Sequence, residues 1–175
     1  GEPFQQFDYA YELLSLAKAN SLHTCVETSG FLSTPKLAKI AEKIDLFLFD
    51  YKETVPELHQ KFTGMDNKTI INNLFFLDRL GKKIVLRCPI VPGYNDRPDH
   101  FEGIAHIVNQ LSNIIRVDIE PYHSLGEGKQ TAIGRDIFHS IPIPQPDTVR
   151  SWISDIQVHT NIPITCSSAF SEKNK

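Results

Sequence analysis

Apolar residues along the chain fall into two patterns. Four short runs rich in Ile, Val, Leu and Phe stand out: Leu22–Val26, Leu46–Phe49, Lys83–Val91 and Ile114–Ile119. They are near-continuous rather than alternating, which predicts strands buried on both faces, as in a parallel sheet. Between them lie segments of helical period. Phe7–Ala19 places Tyr11, Leu14 and Ala17 on one stripe, with Asn20 as its C-terminal cap. Thr34-Pro35 opens a second helix running to about Lys43, since Thr suits the N-cap and Pro the first helical position. A third starts at Asp66 or Asn67, carries Ile70, Leu74 and Leu77, and ends at Gly81. Pro98–Leu111 and Gln145–His159 are two more, and Ile162–Cys166 reads as a terminal strand.

The order, a helix followed by strand and helix in repetition, implies an α/β fold with a parallel sheet. Four strong strands are too few to close an eight-stranded barrel. Either the sheet is open, or it is a partial parallel (β/α) barrel whose first strands are missing. The 175 residues hold no internal repeat or dividing linker, so one domain is expected over 1–166, with a polar, frayed tail over 167–175.

Composition adds mostly exclusions. With 41% hydrophobic and 22% charged residues and a formal charge of −3, the chain has no electrostatic footprint for nucleic acid or an anionic membrane. It has neither a long apolar span nor a secretory leader, and its cysteines are spaced for neither disulfides nor a CxxC-type metal site, which points to the cytoplasm. Cys25, Cys88 and Cys166 each sit in an apolar run and read as small core residues. The chain begins Gly1-Glu2-Pro3 and its one Met is Met65, so it reads as a piece of something longer.

In parallel α/β sheets ligands bind beyond the carboxyl ends of the strands. Each run here exits into charged groups: Glu27-Thr28-Ser29-Gly30, then Asp50-Tyr51-Lys52, then Pro92-Gly93-Tyr94-Asn95-Asp96 with Arg87 inside the run, then Glu120-Pro121-Tyr122-His123. A parallel sheet would gather them at one end. Other motifs fail: Gly126-Glu127-Gly128-Lys129 lacks the flanking residues of a phosphate loop. His23, His59, His100, His106, His139 and His159 show no metal-ligand spacing and read as surface or capping residues.

Five stretches together, Gly1-Glu2-Pro3, His23–Gly30 (HTCVETSG), Leu46–Lys52 (LFLFDYK), Leu86–Asp96 (LRCPIVPGYND) and Glu120–Gly126 (EPYHSLG), resemble the glycyl-radical-enzyme activases, of the pyruvate formate-lyase activating type, in the radical S-adenosylmethionine superfamily. Thr63-Gly64 and Ile133-Gly134 add to the match, which runs from Gly1 to about Cys166. The resemblance implies a (β/α)6 partial barrel, with the four strong strands as its third to sixth. It implies an oxidoreductase of the [formate C-acetyltransferase]-activating type that makes a glycyl radical on a partner enzyme through a 5′-deoxyadenosyl radical, with electrons from flavodoxin or ferredoxin.

It also implies residue roles. Gly1 and Glu2 would end a GGEP motif that receives the methionyl ammonium of S-adenosylmethionine. Glu27, Thr28 and Asp50 would line the cofactor pocket and, with the carbonyl of Leu48, hold a monovalent cation. Lys52 and His123 would stand near cofactor and substrate loop, Arg87 would line the site, and Ile90-Val91 would pack around the adenine. The family's [4Fe–4S] cluster needs CxxxCxxC, which is absent from these residues, so its ligands are expected upstream and this piece by itself is expected to be inactive. A non-catalytic domain that binds a partner's glycine loop is the alternative; an unrelated barrel hydrolase or aldolase ranks last. Missing strands would expose the sheet edge near His23–Glu27, giving self-association or an N-terminal helix laid over that edge.

Overall fold

The computed structural model describes residues 1–123 and 141–166. The Gly126–Lys129 motif, Ser124–Gly126 of the EPYHSLG stretch, Ile133-Gly134, His139 and the tail from Ser167 lie outside the described residues. A 3-10 turn, Pro3–Gln6, leads into α1 (Phe7–Ala19). There follow β1 (Cys25–Thr28), α2 (Thr34–Ala41), β2 (Leu46–Asp50), α3 (Pro56–Thr63), α4 (Lys68–Arg79), β3 (Lys83–Ile90), α5 (Pro98–Val108), β4 (Ile114–Pro121), α6 (Pro146–Gln157) and β5 (Ile164–Cys166). Among the described residues, no helix is long and apolar enough to cross a membrane.

All five strands are parallel, in the order β1-β2-β3-β4-β5. Because the order never reverses, right-handed connections put every covering helix on one face of the sheet. The burial pattern agrees. Phe47, Phe49, Ile84, Leu86, Cys88, Ile90, Val117 and Ile119 are fully buried and meet Leu37, Ile40, Leu74, Leu77 and Ile104 of the helical layer. The alternate positions, among them Glu27, Leu48, Asp50, Arg87, Asp118 and Glu120, are partly or fully open on the second face. The expectation of strands buried on both faces is therefore corrected: the sheet is half of a barrel wall, apolar outside and charged within.

Several local readings also change. Residues 56–63, unassigned by periodicity, form α3, whose inward contribution is a single buried side chain, His59. The first strand starts at Cys25, because Asp45 takes hold of the chain just before it. The Asp45 carboxylate accepts from Thr24 N–H and from Lys18 Nζ, each at 2.8 Å, leaving Leu22 exposed in the turn. Ser33 rather than Thr34 occupies the N-cap position of α2, without a side-chain capping bond, and Thr34 Oγ1 donates to Asn73 Oδ1 at 3.2 Å. Cys88 is buried as expected, whereas Cys25 is exposed on an edge strand; among the described residues none of the three is in a disulfide. His59 and His100 are interior, not surface, residues. His59 Nδ1–H donates to the Met65 carbonyl at 2.7 Å, which satisfies the buried ring.

Candidate functional site

A cavity of about 690 Å³ lies at β1 and the carboxyl end of β2, lined on one side by α1 through Ala10, Leu13 and Leu14. Six of the nine residues expected to bind a cofactor line it: Gly1, Glu2, Glu27, Thr28, Asp50 and Lys52. A smaller cavity of about 230 Å³ adjoins it, sharing Glu2, Ser29, Asp50 and Lys52. The amino terminus is held to the end of β1 by the Glu2 carboxylate. Its Oε1 accepts from Thr28 Oγ1 at 2.9 Å and Phe4 N–H at 3.3 Å. Its Oε2 accepts from Ser29 N–H at 2.8 Å and Ser29 Oγ at 2.7 Å. Beyond Ser29 the chain turns at Gly30, which has φ +71° and packs against Phe49. The Gly30 and Leu32 carbonyls both accept from Asn73 Nδ2, at 2.8 Å.

Across the inner face runs an ionic chain spanning four strands. Arg87 of β3 pairs with Glu27 of β1, lies 3.9 Å from Asp50 of β2, and bonds Glu120 of β4 through Nε at 3.2 Å. Lys52 Nζ stands 3.7 Å from the other oxygen of Asp50. Burial pulls the Arg87 guanidinium down, but hydrogen bonding and attraction from Glu27 and Glu120 outweigh it and hold the group above its ordinary range. Burial lifts the Asp50 carboxyl above its ordinary value against the pull of Lys52 and Arg87. Four carboxylates (Glu2, Glu27, Asp50, Glu120) face two cations (Arg87, Lys52), a net of −2 at the strand ends.

Three expected residues stand apart from both cavities. Arg87 acts beneath, through Glu27, Asp50 and Glu120. Val91 is half-buried just past β3, and His123 is exposed just past β4. Leu48 pairs with Glu27 in the β1–β2 register. The sequence reading did not single out Ser29, Asn73 or Asn95 for the site. Asn73 did carry a signal: it sits on the buried stripe of α4 with Ile70, Leu74 and Leu77, where a polar side chain needs a partner. Asn95, in a loop, carried none.

A one-directional parallel half-barrel with its charged site at the strand ends is the partial (β/α) barrel of the radical S-adenosylmethionine enzymes. A domain of a pyruvate-formate lyase-activating enzyme from Bacteroides vulgatus superposes with a TM-score of 0.78 at 17% identity, covering 96% of this chain and 95% of that one. A radical SAM methyltransferase from Sphaerobacter thermophilus gives 0.70 at 15% identity, covering 95% of this chain and 48% of that one. No family model matches the chain. In sequence, the chain is homologous to the pyruvate formate-lyase activating enzymes and related glycyl-radical activases. The Streptococcus mutans pyruvate formate-lyase-activating enzyme is 37% identical over 158 residues, which is 86% of this chain and 60% of that protein. The 4-hydroxyphenylacetate decarboxylase activating enzyme of Clostridioides difficile is 31% identical, covering 80% of this chain and 45% of that protein. The chain thus spans about half the length of the curated relatives it matches.

Proposed function

We propose that these residues form the S-adenosylmethionine-binding part of an activase that acts on a glycyl-radical enzyme, of the formate-lyase kind or a relative. The observation that carries this is the strand-end cavity with its net negative charge. Its volume lies within the roughly 300–1,000 Å³ usual for small-molecule sites. Carboxylates outnumber cations there, so a ligand bearing an ammonium and a sulfonium would neutralise the excess, and charge-assisted hydrogen bonds from the ammonium would fix its orientation. When bound, S-adenosylmethionine supplies the hydrogen-abstracting chemistry that converts a partner's glycine into a radical.

The chain's own residues bind and orient. Glu2 already accepts four hydrogen bonds, so it fixes the amino-terminal turn against β1 and contributes charge. Asp50 and Lys52 sit where the two cavities meet and orient what lies between them. In the same reading Arg87 supports the site from beneath through Glu27 and Asp50, Val91 flanks the adenine and His123 faces the approaching partner loop. A monovalent cation would take oxygens from Glu27, Thr28, Leu48 and Asp50. Binding it would require Arg87 to release Glu27.

The donor set does not fit an iron–sulfur cluster. Cys25, Cys88 and Cys166 lie on β1, β3 and β5, and Cys88 points into the helical layer. Among the described residues no group of three or more His, Cys, Asp or Glu side chains could hold a metal ion. The cluster ligands, and the docking of a flavodoxin or ferredoxin donor, would come from elsewhere in the functional protein, and these residues alone would not generate the radical. Calorimetric titration of the 175-residue chain with S-adenosylmethionine tests the reading. One site is expected, weakened by Asp50→Asn; absence of binding overturns it.

A further inference from the structure

Two loops lie side by side at the strand ends: residues 51–55 after β2, whose Lys52 lines both cavities, and residues 91–97 after β3, which line neither. The second is a tight turn in which Tyr94 N–H donates to the Val91 carbonyl at 3.1 Å, with Pro92 and Gly93 (φ +77°) at its centre. Such a turn takes Pro at its second position and needs Gly, or a residue tolerant of positive φ, at its third. The turn delivers Asn95 to the gap between the loops, where it is only 5% exposed.

Every polar atom of the Asn95 side chain is used. Oδ1 accepts from Val91 N–H at 2.7 Å, while Nδ2 donates to the Lys52 carbonyl at 2.8 Å and the Pro89 carbonyl at 2.7 Å. The amide cannot be reversed, because a flipped group would set its oxygen against two carbonyls and its NH2 against an N–H. A second brace lies directly behind. Glu53, 0% exposed, accepts from Arg97 Nη1 at 3.1 Å and Nη2 at 3.0 Å, tying the residue after Lys52 to the end of the second loop. Asn67 Nδ2 donates to the Glu53 and Thr54 carbonyls at 3.1 and 3.0 Å, and anchors the first loop to the start of α4. The backbone on both sides of Lys52 is therefore fixed, while its ammonium remains at the cavity.

We infer that Asn95 is a positioning residue that sets the place of Lys52 in the site by joining the loop after β2 to the loop after β3. Asn95 touches neither cavity, and its effect on a ligand passes through Lys52. Affinity for S-adenosylmethionine rests on the function proposed above; the loop coupling does not.

Two measurements test the inference on the full 175-residue chain. In hydrogen exchange followed by mass spectrometry, Asn95→Ala should speed exchange about tenfold both at Val91 and across residues 51–55, the scale of one lost buried hydrogen bond. Asn95→Asp keeps an acceptor for Val91 N–H but loses both donors, so it should speed exchange across 51–55 and spare Val91. Peptides from α6 should be unchanged in both, which separates local release from general destabilisation. Wild-type exchange across 51–55 in both variants overturns the inference. In ligand titration, Asn95→Ala and Lys52→Ala should each weaken S-adenosylmethionine binding about tenfold, and the double variant should be no weaker than Lys52→Ala. Additive losses would show that Asn95 does not act through Lys52. If the wild-type chain binds no S-adenosylmethionine, the proposed function fails and the exchange data alone decide the coupling.

Discussion

Gly30 bears two independent demands, and Gly30→Ala tests both. Its φ of +71° lies in the left-handed region, and an added Cβ would fall 2.2 Å from Phe49 Cζ and 2.5 Å from Cε2. Phe49 is fully buried, so its ring has no free volume into which to retreat. The backbone conformation alone costs an alanine roughly 1–2 kcal/mol. Forcing a methyl into a packed core costs typically about 1–3 kcal/mol more. The reduced entropy of the unfolded chain returns only ~0.4–1 kcal/mol. The expected net loss is about 2–4 kcal/mol, read from urea unfolding by the fluorescence of Trp152, the chain's one tryptophan, which is buried in α6. Repeating the substitution with Phe49→Leu isolates the clash. There Gly30→Ala should cost about 1 kcal/mol, leaving a coupling of about 1–3 kcal/mol between the positions. A cost below about 0.5 kcal/mol, or the same cost in both backgrounds, would refute the packing argument.

Other consequences concern charge and the open edge. Asp50 holds its proton more tightly when folded than when unfolded, so its contribution to stability grows as pH falls and shrinks as pH rises through its folded pKa. Asp50→Asn should therefore be at least as stable as wild type near pH 7, with the difference vanishing in acid, while ligand affinity falls. An Asn variant clearly weaker at pH 7 than in acid would contradict this. His100, 0% exposed, has its pKa pushed from 6.5 down to about 4 by burial, with Glu53 opposing and Arg97 assisting. It stays neutral in the fold, so its stabilisation is complete above 6.5 and is lost as pH falls toward 4, on the order of 3 kcal/mol. Chemical unfolding across that window should show a shallower decline in His100→Asn; parallel declines would argue against a histidine origin. On β1, Cys25 is exposed, as are Tyr9, Leu13 and Leu16 of α1. Sedimentation should show the average mass rising with concentration, and less so for Leu13→Glu; a monomer throughout would count against association at this edge.

The sequence disclosed those parts of the fold that repeat. The Ile70, Leu74, Leu77 stripe of α4 is buried as read, whereas α1 forms over Phe7–Ala19 but buries Phe7 and Ala10, leaving Tyr11, Leu14 and Ala17 half-buried. The inner face stayed hidden because its lower half is also apolar: Leu46 and Leu48 on β2 and Val85 on β3 make the runs look continuous, and the charges appear only near the carboxyl ends. α3 escaped notice because one histidine is its only buried residue, although Pro56 and Gly64 bracket it. The strand-end charges were legible because a parallel topology gives each strand's exit the same address. Asn95 and Glu53 were not, since their partners, the Lys52 carbonyl and Arg97, lie 43 and 44 residues away in the chain with no local period to mark them.

The unreversed strand order also gives the site a history in time. Synthesis delivers β1 to β4 one after another, so Glu27 and Asp50 emerge before Arg87, and Arg87 emerges 33 residues before Glu120. At about 5–20 residues per second, the inner carboxylates spend seconds without their arginine. During that interval water, rather than protein, must stabilise the nascent inner wall. Glu27 and Asp50 gain their arginine when β3 docks, and the ionic chain closes only when β4 brings Glu120 to it, the step after which the half-barrel holds its own charge.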